Sequence, residues 1–449
     1  MFGRFARYIL LALLLAPSFA FARRQSSAAQ TSAPPTSADF LRATDQVLAQ
    51  MSRLIDLPVL QPLKKDLRSK AQIRAYLVQE EKTDTRPAKR YADEKALEAF
   101  GLIPRGFDLD GFMVNLLTDQ VAGYYDSKQG EFFIADWIPV ADQRMVMAHE
   151  LTHALQDQHF HIDSWLKAAR PNDDAASARE AVLEGSATVS MIDYELRGLG
   201  TSVRAMPDIS ALTQMAVGQA AATPGLDKAP PYLRDSLLFP YLDGAVFTQH
   251  LLKAGDGWPD FYKVFSRPPL STQQIMQPSY YLEGKAPPPV ALPPLGRLLG
   301  RDWKLLDENV VGEFGLEEVL KQYLPASEAT GFAPDWWGDR YAILENRKTK
   351  SSLLLFLLQL DSASHASAFF DAYKALLLKK HGGATGVVAA PESLQFQSPD
   401  GGVYFECRAA ECFSMEGGSH SAFQAVTRAI DWAPASVPSR PSGPSPSGR

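Results

Sequence analysis

The chain has little cysteine and no excess of positive charge. Its 449 residues include 2 Cys, 45 Lys and Arg, and 51 Asp and Glu, which gives a net charge of −6. Nucleic-acid-binding surfaces need clustered Lys and Arg, whereas the basic residues here are dispersed, so we expect no nucleic-acid partner. The length favours two domains.

The two cysteines, Cys407 and Cys412, lie between two segments with strand character. Two strands joined by a short turn would bring their sulfur atoms opposite each other, and we predict a disulfide of the kind that an exported protein can keep. A redox-active pair is less favoured because the spacing is not Cys-x-x-Cys. A zinc site built on these two thiols would lack nearby partners.

The sequence lacks an apolar run long enough to span a membrane comfortably. The apolar residues 8–15 follow Arg4 and Arg7, and Ala-Phe-Ala at residues 20–22 is typical of a secretory cleavage site. We therefore predict a signal peptide over residues 1–22, a periplasmic or extracellular location, and no stable membrane span after its removal. An uncleaved interfacial anchor is the alternative.

Histidine is also scarce, yet two of the 8 residues form the pattern His149-Glu150-x-x-His153. Apolar residues at spacings of three and four predict a helix over residues 144–159. Residues four apart lie on one side of a helix, so both imidazoles can hold one metal ion. Glu150 can then reach a water on that ion without being a ligand, as zinc-dependent hydrolysis requires. The alternative is a pair of ordinary structural histidines.

A catalytic zinc ion takes three protein ligands and a water. We predict Glu184 as the third ligand, on a second helix. The small residues Gly185 and Ala187 would let this helix approach the first one closely. Glu180, one turn earlier, is the second choice, although a solvated charge or an ion pair with Arg179 is its more usual role.

Three segments resemble the gluzincin metallopeptidases. Residues 149–154, His-Glu-Leu-Thr-His-Ala, followed by Asp157, are similar to thermolysin-like enzymes. Residues 184–187, Glu-Gly-Ser-Ala, are similar to the sequence around the third ligand of gluzincin aminopeptidases. Residues 240–244, Pro-Tyr-Leu-Asp-Gly, resemble the Tyr-x-x-Gly that precedes an apolar helix in those enzymes, here expected over residues 245–252.

The resemblance covers residues 121–262 and implies a zincin-like fold. It implies Zn²⁺ bound by His149, His153 and Glu184, with Glu150 as general base. It also suggests that Tyr241 donates a hydrogen bond to the oxyanion, although a buried tyrosine with a satisfied hydroxyl is an equal alternative.

The chain departs from the family at two points. Thermolysin-like enzymes carry an Asp that orients a zinc-bound His, and Thr188 occupies that position here. No Gly-x-Met-Glu-Asn-type element for a free amino terminus precedes the motif, which favours an endopeptidase over an aminopeptidase.

Two strand-like runs, residues 121–126 and 131–136, flank a polar turn with Gly and predict a hairpin. In gluzincin-like folds the edge strand before the zinc helix pairs with extended substrate. Tyr124 or Tyr125 would then line the cleft, although hairpin packing is the commoner role for such aromatics.

The predicted fold class is α+β. After a flexible linker (23–38) we expect a mostly helical zincin-like catalytic domain with a small β-sheet (39–325). Its first part (39–103) is helical, and residues 23–103 are a candidate propeptide. A small antiparallel α+β sandwich domain (330–432), in the order β-β-α-β-β-β-α with helices on one face of the sheet, and a disordered tail (433–449) follow.

The sequence thus indicates an exported zinc metallopeptidase that acts on peptide or protein substrates. The main alternative is a non-catalytic exported protein that binds metal or peptide and keeps the zincin fold. A zinc hydrolase of a non-peptide bond is a third reading. Substrate preference and oligomeric state stay open.

Overall fold

The structure is a computed structural model and describes residues 37–84, 86–220 and 224–432. The predicted signal peptide, most of the predicted linker and the predicted tail lie outside the described residues. The helices are α1 (Ser37–Leu54), α2 (Lys70–Asp84), α3 (Pro87–Phe100), α4 (Leu109–Gln120), α5 (Val140–Phe160), α6 (Ile162–Lys167), α7 (Asp173–Leu196), α8 (Ser210–Ala220), α9 (Pro231–Ala254), α10 (Trp258–Phe261), α11 (Thr272–Met276), α12 (Pro278–Leu282), α13 (Leu295–Leu298), α14 (Gly312–Lys321), α15 (Ala326–Phe332), α16 (Ala363–Lys380) and α17 (His420–Ala429). The strands are β1 (Lys64–Arg68), β2 (Gly123–Asp126), β3 (Glu131–Ala135), β4 (Trp303–Asn309), β5 (Trp336–Asn346), β6 (Ser352–Leu360), β7 (Thr385–Ala390), β8 (Ser393–Ser398), β9 (Gly401–Arg408) and β10 (Glu411–Gly418).

The fold class is α+β, and the chain forms two compact units. The first, here called the helical unit, contains the described residues up to 86 together with residues 106–285. The second, the sheet unit, contains residues 87–105 and the described residues from 286 onward. The predicted domain boundary near residues 325–330 differs from this division, because β4 pairs with β5 and joins the sheet that the later strands build.

The core of the helical unit is built on α5, α7 and α9. Helix α7 is buried on nearly every side, although its sequence carries Asp, Glu and Arg. A helix that is buried all round belongs to the interior of a fold rather than to its surface. The acidic side chains of α7 are therefore held away from water and need partners inside the protein.

A three-stranded sheet with the order β1-β3-β2 accompanies these helices. The predicted hairpin is confirmed, since β2 and β3 are antiparallel and join through a four-residue turn. Strand β1 pairs in parallel with β3 and was not predicted. Its sequence, Lys-Lys-Asp-Leu-Arg, has no alternation of apolar and polar residues, so only the tertiary pairing makes it a strand.

The sheet unit contains a seven-stranded antiparallel sheet with the order β4-β5-β6-β10-β9-β8-β7. The expectation that its helices lie on one face is wrong. Phe405 of β9 stacks on Phe370 of α16, with ring centroids 5.1 Å apart, whereas the preceding residue Tyr404 stacks on Phe423 of α17 at 5.0 Å. Successive strand residues point to opposite faces, so α16 and α17 cover opposite sides. This explains the almost unbroken apolar sequence of β6.

Cys407 and Cys412 form the predicted disulfide. They lie directly opposite each other on β9 and β10, with their Cα atoms 4.0 Å apart. No helix in the described ranges has both the length and the apolar character that a bilayer crossing demands.

Candidate metal centre

Three side chains from two helices converge on one point inside the helical unit. The His149 Nε2 atom lies 3.0 Å from Glu184 Oε2 and 3.2 Å from His153 Nε2, and His153 Nε2 lies 3.5 Å from Glu184 Oε2. Ligand atoms placed about 2.0–2.1 Å from a tetrahedral zinc ion are about 3.3 Å from one another. The triangle therefore has the size of three corners of a zinc tetrahedron.

Hydrogen bonds account for this triangle less well than a cation does. If His149 Nε2 carries a proton, it can donate that proton to Glu184 but has no lone pair left to accept a hydrogen bond from His153. One cation, by contrast, takes a lone pair from each of the three atoms. The donor set of two imidazoles and one carboxylate is also one that zinc accepts.

Helix geometry determines the relative position of the two imidazoles. Helix α5 extends over residues 140–160, so His149 and His153 are one turn apart in its buried middle. Their rings meet edge to face, with centroids 4.9 Å apart. The predicted helix over residues 144–159 is confirmed, and it is longer by one turn at its amino-terminal end.

Burial keeps both imidazoles in the form that binds metal. The two histidines are at most 2 % exposed. Burial lowers the pKa of His153 to about 3, and it also lowers the pKa of His149, although Glu184 acts in the opposite direction. Neutral imidazole is the metal-binding species, so the site needs no deprotonation of His at neutral pH.

Glu150 lies beside the triangle and is bound by the edge strand. Its Oε2 atom accepts a hydrogen bond of 2.8 Å from the backbone N–H of Tyr125. The Ala135 N–H donates to the Ala122 carbonyl, so residues 122, 124 and 126 face β3, and Tyr125 turns its backbone groups outward. The outer edge of β2 thereby contacts the carboxylate of Glu150, which lies between His149 and His153 in the sequence.

Tyr125 holds strand β2 against α5 at a second point. Its hydroxyl donates to Asp157 Oδ2 over 2.8 Å, and Asp157 Oδ1 accepts from the Ile162 N–H at the end of the helix. Tyr124 instead stacks on Tyr76, with centroids 4.6 Å apart. Tyr125 is therefore bonded to α5 through both its backbone N–H and its hydroxyl.

Tyr241 faces the triangle from α9. Its ring stacks on that of His149 with centroids 5.8 Å apart, and its hydroxyl donates to the Glu184 carboxylate. The expectation that Tyr241 precedes a helix beginning at residue 245 is wrong, because α9 starts at Pro231 and continues through Pro240. A proline inside a helix removes one backbone hydrogen bond, and burial of α9 on both sides of Pro240 maintains the helix.

Glu180 is not part of the triangle, and the expectation that it is a solvated charge or an ion pair with Arg179 is wrong. It is 4 % exposed, and burial together with the charge of Glu184 raises the pKa of its carboxyl well above the ordinary value. Arg179 instead donates to the Trp165 carbonyl. Burial therefore favours the neutral, protonated form of Glu180.

Thr188 stands where thermolysin-like enzymes carry an Asp that orients a zinc-bound His, and it does not replace that Asp. The Thr188 hydroxyl is buried and has no hydrogen-bond partner within the described part of the chain. A different contact links the two ligand helices: Gln156 Nε2 donates to Ser186 Oγ over 2.8 Å. The sequence analysis did not identify this pair, although Gln156 lies one turn after His153.

Two glycines bring α7 and α9 into backbone contact. A Cβ atom added to Gly185 would lie 2.0 Å from the Gly244 carbonyl carbon, and one added to Gly244 would lie 2.1 Å from the Ala181 oxygen. Gly185 was expected to allow approach to α5, but it faces α9. The contact fixes the neighbouring side chains of Glu184 and Tyr241 relative to each other.

Comparison with known proteins gives one partial match. A family model described as a domain of unknown function (DUF8575) matches residues 303–427. This region lies within the sheet unit. The comparisons with curated proteins and with solved structures returned no match. The candidate metal centre lies outside the matched region.

Gly244→Ala should destabilise the protein and disturb the site. The added methyl group meets the backbone of α7, so the helices must separate, and overpacking of this kind typically costs about 1–3 kcal/mol or more. Urea unfolding monitored by circular dichroism measures the loss. Gly198→Ala is the matched control, because no atom lies within 4 Å of its added Cβ. Equal midpoints for the two variants would contradict the helix contact.

Proposed function

We propose that this protein is an exported zinc-dependent peptidase, and more narrowly an endopeptidase. The observation that carries the proposal is the triangle of His149, His153 and Glu184 with Glu150 beside it. A bound zinc ion would act as a Lewis acid, activating water near neutral pH and polarising the scissile carbonyl.

The chain's own residues supply the proton transfers. Glu150 accepts the proton of the attacking water and passes it to the leaving amine, as a general base and then a general acid. The Tyr241 hydroxyl, whose one proton is donated to Glu184 in the structure, would turn from that carboxylate to donate a hydrogen bond to the oxyanion. Burial and the neighbouring carboxylates raise the pKa of Tyr241 well above its ordinary value, so the hydroxyl stays protonated and able to donate.

The edge strand supports a polypeptide substrate. Strand β2 is at the edge of its sheet, and residue 125 directs its backbone groups away from β3. An extended peptide that pairs with such an edge is held by main-chain hydrogen bonds, with little dependence on its side chains. This supports low sequence selectivity, whereas the preference for an endopeptidase rests on the missing Gly-x-Met-Glu-Asn-type element.

Burial of the site favours the second candidate, a non-catalytic exported protein that binds metal or peptide. His149, His153, Glu150, Glu184 and Tyr241 are each no more than 2 % exposed. A structural metal site is closed, whereas a catalytic one keeps an open position. Hydrolysis of casein that a chelator abolishes and added zinc restores favours the peptidase. Bound zinc without hydrolysis favours the second candidate.

Glu184→Ala should lose the metal. Removal of a direct ligand weakens binding by more than the roughly 10- to 100-fold that loss of an outer partner costs. Zinc content after dialysis, measured by mass spectrometry, tests this. Glu180→Gln, one turn away on the same helix, should keep the metal. If Glu180→Gln loses zinc and Glu184→Ala retains it, the third ligand is Glu180.

Glu150→Gln should keep zinc and lose hydrolysis. The amide preserves the shape of the side chain and cannot accept the proton, and such a loss costs about 10²- to 10⁴-fold in rate. The measurement is the rate of casein cleavage at equal zinc content. Glu195→Gln, an exposed substitution on α7, serves as control. A Glu150→Gln variant as active as the parent would refute the role of base.

Tyr241→Phe should reduce kcat with little change in KM. Loss of one oxyanion donor costs about 10²- to 10³-fold, because that hydrogen bond forms in the transition state. Steady-state kinetics on a fluorogenic peptide separate the two constants. Tyr262→Phe is the control, since that hydroxyl donates to the Ile55 carbonyl. A change confined to KM would place Tyr241 in substrate binding instead.

A further inference from the structure

Helix α5 buries a glutamine one turn after the second imidazole of the metal centre. His153 and Gln156 are both 0 % exposed, so neither side chain reaches water. Residues three apart on a helix are neighbours on its surface. The proposed hydrolysis assigns no role to Gln156, although a buried amide needs partners both for its N–H groups and for its oxygen.

The Ser186 hydroxyl determines which way the Gln156 amide points. This hydroxyl donates its one proton to the Leu183 carbonyl over 2.9 Å. It can therefore only accept from Gln156, and the amide atom that it faces at 2.8 Å is Nε2. The reversed amide would place an oxygen against a hydroxyl that has no second proton to give. The Oε1 atom is thereby directed away from Ser186.

One acceptor and one donor are left over beside this contact. Gln156 Oε1 and His153 Nδ1 are both buried, and neither has a hydrogen bond to any other residue that the structure describes. Buried polar atoms are almost always paired, and each of these two lacks what the other supplies. Because both atoms are sealed inside the protein, they can be satisfied only by each other.

The effect of Gln156 on the imidazole identifies the amide atom that faces the ring. Burial lowers the pKa of His153 to about 3, whereas a side-chain hydrogen bond with Gln156 acts to raise it. A partner that raises this pKa stabilises the protonated ring, which an acceptor oxygen does and an N–H donor does not. The two side chains are thus close, although their contact is not aligned as a complete hydrogen bond.

The other ring nitrogen of His153 faces the metal centre. Its Nε2 atom lies 3.2 Å from His149 Nε2 and 3.5 Å from Glu184 Oε2. A neutral imidazole carries one proton, so a proton on Nδ1 leaves a lone pair on Nε2. An acceptor at Nδ1 therefore favours the tautomer that a metal ion needs.

We infer that Gln156 is a positioning residue for His153. Its Oε1 atom accepts the Nδ1 proton of His153, and it thereby keeps the Nε2 lone pair directed at the metal position. The chain of donors continues through Ser186 to the Leu183 carbonyl, next to Glu184 on α7. The second and third ligands are thus linked across the two helices. The inference deepens the proposed function and rests on its metal centre.

Gln156→Met tests this role through zinc affinity. The thioether has nearly the length of the amide but is only a weak acceptor, so His153 loses its partner. Loss of such an outer partner typically weakens metal binding about 10- to 100-fold. Competition with a fluorescent zinc chelator measures the dissociation constant, and circular dichroism verifies that the variant is folded.

Gln143→Met is the matched control. Gln143 is also a fully buried amide on α5, and its Nε2 atom donates to the carbonyls of Ala135 and Ile138. Both substitutions should lower the midpoint of urea unfolding, because each removes buried hydrogen bonds. Only Gln156→Met should weaken zinc binding and shift the visible absorption bands of the cobalt-loaded protein, which report ligand geometry. Zinc affinity equal to that of the parent, or lowered equally in both variants, would overturn the inference.

The tautomer of His153 tests the contact without zinc. Proton–nitrogen correlation spectra of the metal-free protein, labelled on its histidine nitrogens, distinguish a protonated Nδ1 from a protonated Nε2. The signals that disappear in His153→Gln assign the residue. We expect the proton on Nδ1 in the parent and in Gln143→Met, and a shift toward Nε2 in Gln156→Met.

These spectra also separate the inference from the function on which it rests. A parent with the proton of His153 on Nε2 would refute the role of Gln156 even if zinc binds. A parent with the proton on Nδ1 that binds no zinc would refute the proposed function and would still support the hydrogen bond between His153 and Gln156.

Discussion

The backbone contact between α7 and α9 is the constraint on which the rest of the helical unit depends. Gly185 and Gly244 allow two buried helices to touch without intervening side chains. Glu184 directly precedes one of these glycines, and Tyr241 lies one turn before the other. Close packing leaves the two helices no freedom to slide, so the carboxylate and the phenol meet the imidazoles of α5 at fixed distances.

Burial determines the chemistry of the centre as much as the choice of residues does. Exposed imidazoles would take up a proton as the pH fell through their ordinary pKa. Water would also form hydrogen bonds to the Glu184 carboxylate and compete there with the metal. Inside the helical unit, burial lowers the pKa of both imidazoles, Tyr241 donates a hydrogen bond to Glu184, and burial raises the pKa of Glu180 well above its ordinary value. The interior therefore favours three lone pairs around one point, a state that is costly without a cation.

The parts of this architecture that follow local rules could be predicted from the sequence. The one-turn spacing of His149 and His153 specifies their relative position, and the polar turn before Glu131 specifies a hairpin. Features that depend on long-range packing could not be predicted from the sequence. Strand β1 exists only because β3 accepts it, and α9 continues through Pro240 because the residues on both sides of this proline are buried. Helix α17 covers the second face of the sheet, which only the unbroken apolar run of β6 indicated in the sequence. Glu180 seemed a surface charge for the same reason, because the sequence of its helix does not reveal that the fold buries the helix on nearly every side.

Tyr125 couples the small sheet to α5 in a way that links recognition to reactivity. Its N–H, which is bonded to Glu150, belongs to the same strand edge that an incoming polypeptide would use. A chain that added to this edge would compete with the Glu150 carboxylate for that hydrogen, and under the proposed mechanism Glu150 would then be free to accept a proton from water. Binding of the polypeptide and release of Glu150 would then occur together, so without a bound polypeptide Glu150 would stay bonded to Tyr125.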